Sequence, residues 1–131
     1  MKNVGRMDHI AFAVPSVADQ VERFVAMGLQ VEFQNEGYAL VADPASGFKI
    51  ELNQEPGDAR FRHIGFLSDN VDAAHGELLA NGVESTEAPH RREFARMRTA
   101  FLKDANGLEY QLVDYDRALE QGHATQSAQS L

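Results

Sequence analysis

A chain of 131 residues with 44% hydrophobic content is enough for one globular domain, or for two small modules sharing a core. Its formal net charge of −8 opposes general binding to nucleic acid or anionic lipid, and the lack of cysteine excludes disulfides, thiolate metal sites and a thiol nucleophile. Cysteine-free composition fits a reducing cytoplasm, the opening Met1-Lys2-Asn3-Val4-Gly5-Arg6 has no apolar h-region, and no stretch approaches the ~18 apolar residues of a membrane span, so a cytoplasmic chain is expected.

Met7–Val14 alternates, placing Ile10, Phe12 and Val14 on one face and His9, Ala11 and Ala13 on the other. This predicts a strand with a heavy core face and a small-residue face. Pro15-Ser16 then opens a helix, with Ser16 as N-cap and Asp19 three residues on. Val17, Val21, Phe24 and Val25 form its apolar stripe, and Gly28 supplies a left-handed stop. Three short strands follow, over Leu29–Gln34, Gly37–Ala42 and Phe48–Asn53, joined by turns at Asn35-Glu36-Gly37 and Asp43-Pro44-Ala45-Ser46-Gly47. Gln54–Arg60 is a linker, ending a first module that spans about residues 7–53.

The same order then recurs in a second module, about residues 61–115. Phe61–Ser68 is a strand; Asp69 or Asn70 caps a helix that turns Val71, Ala74, Leu78 and Leu79 to one side and ends at Gly82. Val83–Ser85 is a short strand, Thr86–Ala95 a longer polar loop, Arg96–Lys103 a strand, and Leu108–Tyr115 the last strand after the turn Asp104-Ala105-Asn106-Gly107. The polar tail 116–131 is expected to form one helical turn near Arg117–Gln121 and then fray.

The two modules echo each other in detail. Asp8-His9-Ile10-Ala11-Phe12 returns as Arg62-His63-Ile64-Gly65-Phe66, an offset of 54 positions, and Gly28 returns as Gly82 at that same offset. Gly47-Phe48-Lys49-Ile50-Glu51-Leu52 returns as Gly107-Leu108-Glu109-Tyr110-Gln111-Leu112, an offset of 60, so about six residues are inserted in the second copy. His9, Glu51, His63 and Gln111 therefore occupy matched places, and all four are of types that ligate a divalent metal. Strand alternation places His9 with Ala11 and Ala13, and His63 with Gly65, leaving room for a ligand. Each βαβββ unit has one helix for a two-faced sheet, so two units must pair to bury the second face around a pseudo-two-fold axis. His75 and His90 read as surface residues, and His123 lies in the tail. Neither a phosphate-cradling glycine loop nor a dinucleotide fingerprint is present.

Five of the twelve basic residues (Arg91, Arg92, Arg96, Arg98 and Lys103) crowd into a short segment. Two readings stand open: an edge strand whose charges prevent sheet-to-sheet aggregation, or a local anion site. Phe33, Tyr38, Met97 and Phe101 line a cleft or simply fill the core.

The Asp8-His9-Ile10 opening strand, the helix ending at Gly28, the Gly47-x-x-x-Glu51-Leu52 strand and the Asp104–Gly107 turn, in order and duplicated, resemble the vicinal oxygen chelate superfamily. That family includes glyoxalase I, methylmalonyl-CoA epimerase, extradiol dioxygenases, and the fosfomycin-resistance and bleomycin-binding proteins. The resemblance runs from about Met7 to Asp114. It implies an α+β fold in which two tandem βαβββ modules pair into an eight-stranded incomplete barrel or cleft, with helices outside. It also implies a divalent metal (Zn, Ni, Mn, Co or Fe) on His9, Glu51, His63 and Gln111, a small-molecule substrate, and a homodimer without nucleic-acid or membrane partners.

The last-strand position usually carries glutamate in metal-binding members, whereas here it is Gln111. An amide still offers a carbonyl oxygen but brings less charge and cannot act as a base. This counts against an extradiol dioxygenase and a fosfomycin transferase, while glyoxalases and epimerases with two histidines, one glutamate and one glutamine exist with the glutamine elsewhere in the set. The implied function is a glyoxalase- or epimerase-like lyase or isomerase working through a metal-stabilised enolate of an anionic substrate. Glu51 would be its base, and Arg91, Arg92, Arg96, Arg98 and Tyr38 its substrate contacts. The alternatives are a metal-free drug-sequestering protein of the bleomycin-resistance kind and an iron-dependent dioxygenase.

Overall fold

Residues 1–116 are described in a computed structural model, and they form eight β-strands and two α-helices. They divide into two compact units: residues 9–62, and residues 63–116 together with Met1–Asp8. The expectations for the tail after Asp116 lie outside the described residues.

The first unit contains β1 (Met7–Val14) from His9 on, α1 (Val17–Ala26), β2 (Gln30–Gln34), β3 (Tyr38–Ala42) and β4 (Lys49–Gln54), in the sheet order β2-β3-β4-β1. β1 and β4 run parallel, with Ala11 opposite Glu51 and Phe12 opposite Leu52; the other pairs are antiparallel. One sheet face carries Phe12, Val14, Val41, Ile50 and Leu52, which pack on Val17, Val21 and Phe24 of α1. This burial of apolar surface is the main stabilising term, and truncating a fully buried leucine such as Leu52 to alanine is worth about 2–5 kcal/mol. The helix starts as its sequence predicts: Ser16 Oγ accepts the Asp19 amide at 3.2 Å, and Gln54 Oε1 accepts the Val17 amide at 3.0 Å.

In the second unit, β5 (Arg60–Leu67) from His63 on, α2 (Val71–Ala80), β6 (Glu84–Arg92), β7 (Met97–Lys103) and β8 (Glu109–Tyr115) take the equivalent order β5-β8-β7-β6. β5 and β8 are parallel, with Gly65 opposite Gln111. Val71, Ala74 and Leu78 of α2 pack on Ala100, Leu102 and Leu112. Asn70, not Asp69, is the cap, its Oδ1 accepting the Ala73 amide at 3.0 Å. The α+β class and the doubled βαβββ order agree with the sequence reading, and both helices end at glycines with positive φ, Gly28 at 108° and Gly82 at 85°.

Three expectations need correction. Thr86–Ala95 is not a loop, because β6 runs from Glu84 to Arg92 and only Glu93–Ala95 form a short 3-10 turn. β6 lies at the sheet edge, where backbone pairing to β7 needs no apolar alternation and tolerates Pro89. Val25 and Leu79, assigned to the apolar stripes, are 49% and 44% exposed. Each stands eight residues after the first residue of its helix, which at 3.6 residues per turn is roughly 80° round, at the margin of the buried stripe.

The N-terminal segment also has a structural role that composition did not suggest. The Asn3 amide and Nδ2 donate to both carboxylate oxygens of Glu77 on α2, at 2.8 and 2.7 Å, and Ser68 Oγ donates to the Asn3 carbonyl at 2.7 Å.

Candidate metal centre

His9 leaves β1 on the small-residue face beside Ala11 and Ala13, and is only 2% exposed. Parallel register puts Glu51 of β4 opposite Ala11, on that same face. The two side chains meet there, His9 Nε2 lying 3.7 Å from Glu51 Oε2. Both carboxylate oxygens are further held: Tyr38 donates its hydroxyl to Oε2 at 3.2 Å, and Asn53 Nδ2 donates to Oε1 at 3.1 Å. Phe33 packs against the Tyr38 ring with centroids 5.8 Å apart. An imidazole and a carboxylate on a buried face, with the carboxylate oriented by two donors, are groups of the kind that can hold a divalent metal.

The second unit repeats the arrangement with different detail. His63 is 8% exposed and stands two residues before Gly65, so it shares the face of Gln111. Its ring meets Phe101 edge-on, with centroids 5.5 Å apart, and Phe101 lies directly across from Gln111. Gln111, 3% exposed, donates from Nε2 to Thr99 Oγ1 at 3.1 Å. Thr99 Oγ1 has already given its own proton to the Leu112 carbonyl at 2.7 Å, so it can only accept from Gln111. The amide is thereby oriented with its nitrogen toward Thr99.

The basic residues divide between the two faces of this sheet. Arg92 lies opposite Met97, on the face that carries Phe101 and Gln111, with its guanidinium carbon 5.3 Å from the Phe101 ring centroid. It also donates to Glu87 at 2.9 Å and to His90 at 3.3 Å. Arg91 and Arg98 face each other in register on the opposite, helix-bearing side. Arg98 forms a paired hydrogen bond with Asp72 on α2 at 2.6 and 2.8 Å, and Arg91 does so with Asp116 at 2.8 Å and 2.8 Å. Those bonds hold the Asp72 and Asp116 carboxyls below the usual carboxylate range. Arg96 takes a left-handed backbone, φ 50°, at the end of the 3-10 turn.

The sequence singles out His9, Glu51, His63 and Gln111 as ligand candidates and Tyr38 as a substrate contact, but not Asn53 or Thr99, which hydrogen-bond to Glu51 and Gln111. Asn53 is within reach of alternation, standing two residues beyond Glu51 on the same strand. Thr99 carries no signal, because its contact with Gln111 depends on the β7–β8 register.

Residues 6–112 match the family described as the Glyoxalase/Bleomycin resistance protein/Dioxygenase superfamily. The chain belongs to that superfamily. No curated protein sequence matches it. Among solved structures, it is similar to methylmalonyl-CoA epimerase from Mycobacterium tuberculosis, with a TM-score of 0.78 at 20% identity, over 92% of this chain and 95% of that one. A single-residue variant of the Streptomyces coelicolor methylmalonyl-CoA epimerase, in complex with 2-nitronate-propionyl-CoA, gives a TM-score of 0.71 at 23% identity, over 86% and 98%. The 2,3-dioxygenase LapB from Pseudomonas sp. KL28 gives 0.67 at 18% identity, over 82% of this superfamily member and 41% of that chain. At these identities the likeness establishes the fold, and chemistry must be argued from the side chains. Among the described residues, no helix is long and apolar enough to cross a membrane.

Proposed function

We propose that this superfamily member is a metal-dependent lyase or isomerase of the glyoxalase and epimerase kind, acting on a small anionic substrate that offers two neighbouring oxygens for chelation. The observation that carries the reading is His9 Nε2 at 3.7 Å from Glu51 Oε2 on a buried small-residue face, repeated at matched positions by His63 and Gln111. The four residues at matched positions would serve one divalent ion, being of the types that ligate one. Once bound, such an ion supplies Lewis acidity that makes the C–H beside a chelated carbonyl more acidic.

The chain's own groups supply the rest. Glu51 is the single carboxylate of the four and the proposed proton acceptor. Tyr38 and Asn53 orient it, and once Glu51 gains a proton the Tyr38 hydroxyl can accept where it previously donated, so the pair stays satisfied on both sides of the transfer. Arg92 is the proposed anion contact, since it shares a face with His63 and Gln111, whereas Arg91 and Arg98 are committed to aspartates on the other face.

Solvent exchange tests this reading. Protein loaded in turn with Mn, Co, Ni, Zn or Fe is incubated in D2O with methylmalonyl-CoA or with a 2-hydroxy ketone, and deuterium at the α-carbon is followed by NMR. Metal-dependent exchange that Glu51→Gln removes is the expected result. Absence of exchange with every ion, together with tight binding of an aromatic drug, would point to the sequestering alternative.

A further inference from the structure

The face that carries His9 and Glu51 also holds a charged pair that the proposed chemistry leaves unused. Lys49 lies opposite His9 in the parallel register of β1 and β4, and two residues before Glu51, so its side chain leaves the sheet on their side. Neighbouring strands stand about 4.8 Å apart and alternate residues of a strand about 6.6 Å, which puts Lys49 one step from each. A bulge between Val31 and Phe33 changes the alternation of β2. Two successive side chains consequently reach this face: Phe33 meets Tyr38, and Glu32 meets Lys49, Oε1 to Nζ 3.5 Å. Both charged side chains are mostly buried, 16% exposed for Lys49 and 12% for Glu32, and Glu32 Oε1 has no hydrogen-bond partner among the described residues.

A buried pair of this kind is a poor source of stability, because desolvating two charges offsets most of their attraction, and imperfect hydrogen bonding makes the balance worse. A ligand gives the arrangement a purpose. The ammonium has three protons, and the contact with Glu32 engages one direction only. Glu32 also cancels the positive charge that would otherwise repel a divalent ion near His9 and Glu51.

We infer that Lys49, positioned by Glu32, is an anion-binding residue of the candidate site, taking a carboxylate oxygen of the substrate beside His9 and Glu51. The inference rests on the proposed function only for the identity of the ligand, a small carboxylate.

The test is calorimetric titration of malonate into the intact protein with and without Mn2+, and of Mn2+ alone, for wild type, Lys49→Met, Lys49→Arg and Glu32→Gln. Loss of a charged hydrogen bond should weaken malonate binding about 10-fold or more in Lys49→Met. Lys49→Arg should stay within about 3-fold, and Glu32→Gln should fall between, because the ammonium is retained but less well placed. Mn2+ affinity should be equal or tighter in Lys49→Met, since a positive charge is removed. If Lys49→Met does not fold, Lys49→Gln, which keeps a donor without the charge, gives the same comparison. Malonate binding that ignores Lys49, or wild type that does not bind malonate under either condition, overturns the inference. Mn2+ binding with Lys49-indifferent malonate overturns it while leaving the metal reading intact. Lys49-dependent malonate binding without any Mn2+ binding supports it and overturns the metal reading.

Discussion

Gln111 shows how one hydroxyl can decide what an amide does. Thr99 must accept from it, so the amide nitrogen is fixed. Thr99→Val keeps the shape and removes this acceptor from a buried amide, at a cost of about 1–3 kcal/mol. Mn2+ affinity should drop roughly 10-fold with it, as measured by calorimetry, because the ligand loses its orientation. Gln111→Glu should act oppositely on the metal and similarly on the fold. A carboxylate adds negative charge and tightens Mn2+ binding, yet it can only accept, so Thr99 must turn its proton away from Leu112. The expected signature is a lower melting temperature without metal and a tighter Mn2+ isotherm. Unchanged Mn2+ binding in both variants would remove Gln111 from the ligand set.

At the scale of elements, β6 carries the clearest separation of roles. Its two adjacent arginines point to opposite faces, as successive strand residues must. Arg92→Ala should weaken binding of an anionic substrate such as methylmalonyl-CoA by about 10-fold, more so at low salt, with little change in melting temperature. Arg91→Ala removes an exposed ion pair with Asp116 and should leave substrate binding alone. Equal losses from both would place the anion contact elsewhere. The turns that precede the last strands are likewise matched. Asp43 accepts from the Ala45 amide and Ser46 hydroxyl, and Asp104 accepts from the Tyr110 hydroxyl and the Leu108 and Asn106 amides. These bonds, Ala45 first for Asp43 and Tyr110 first for Asp104, hold both carboxyls below the ordinary range. A carboxyl depressed in the folded state stabilises above its unfolded value of about 3.9, and that contribution disappears as pH falls through the folded value. Acid melts should therefore steepen below about pH 4, and Asp104→Asn should lower the melting temperature at neutral pH, where the ionised carboxylate contributes, and converge on wild type in acid, which flattens that limb.

Across the whole molecule, the duplication makes a stoichiometric prediction. If the matched residues serve one ion, the chain should take up one equivalent of Mn2+, and the ion should raise the melting temperature by mass action. His9→Ala and His63→Ala should each cost about 10-fold or more in affinity and shrink that thermal shift, although the residues belong to different units. Two equivalents, or one histidine without effect, would mean that the units bind separately.

The doubled βαβββ order, both helices with their Ser16 and glycine boundaries, and the four ligand candidates are legible in the chain, because periodicity, capping and strand alternation are local consequences of residue type. Val25 and Leu79 fall outside the buried stripe since period alone does not say how wide that stripe is; the sheet a helix packs on decides that. β6 reads as a loop in sequence because an edge strand's backbone bonds carry no hydrophobic signature. Thr99 beside Gln111, Tyr38 beside Glu51 and Glu32 beside Lys49 are contacts across strands, set by register and by one bulge. Residue types and their local spacing determined what chemistry this chain offers, whereas only tertiary pairing decided which side chains share a face, because a one-residue shift in register turns every side chain of a strand to the other side.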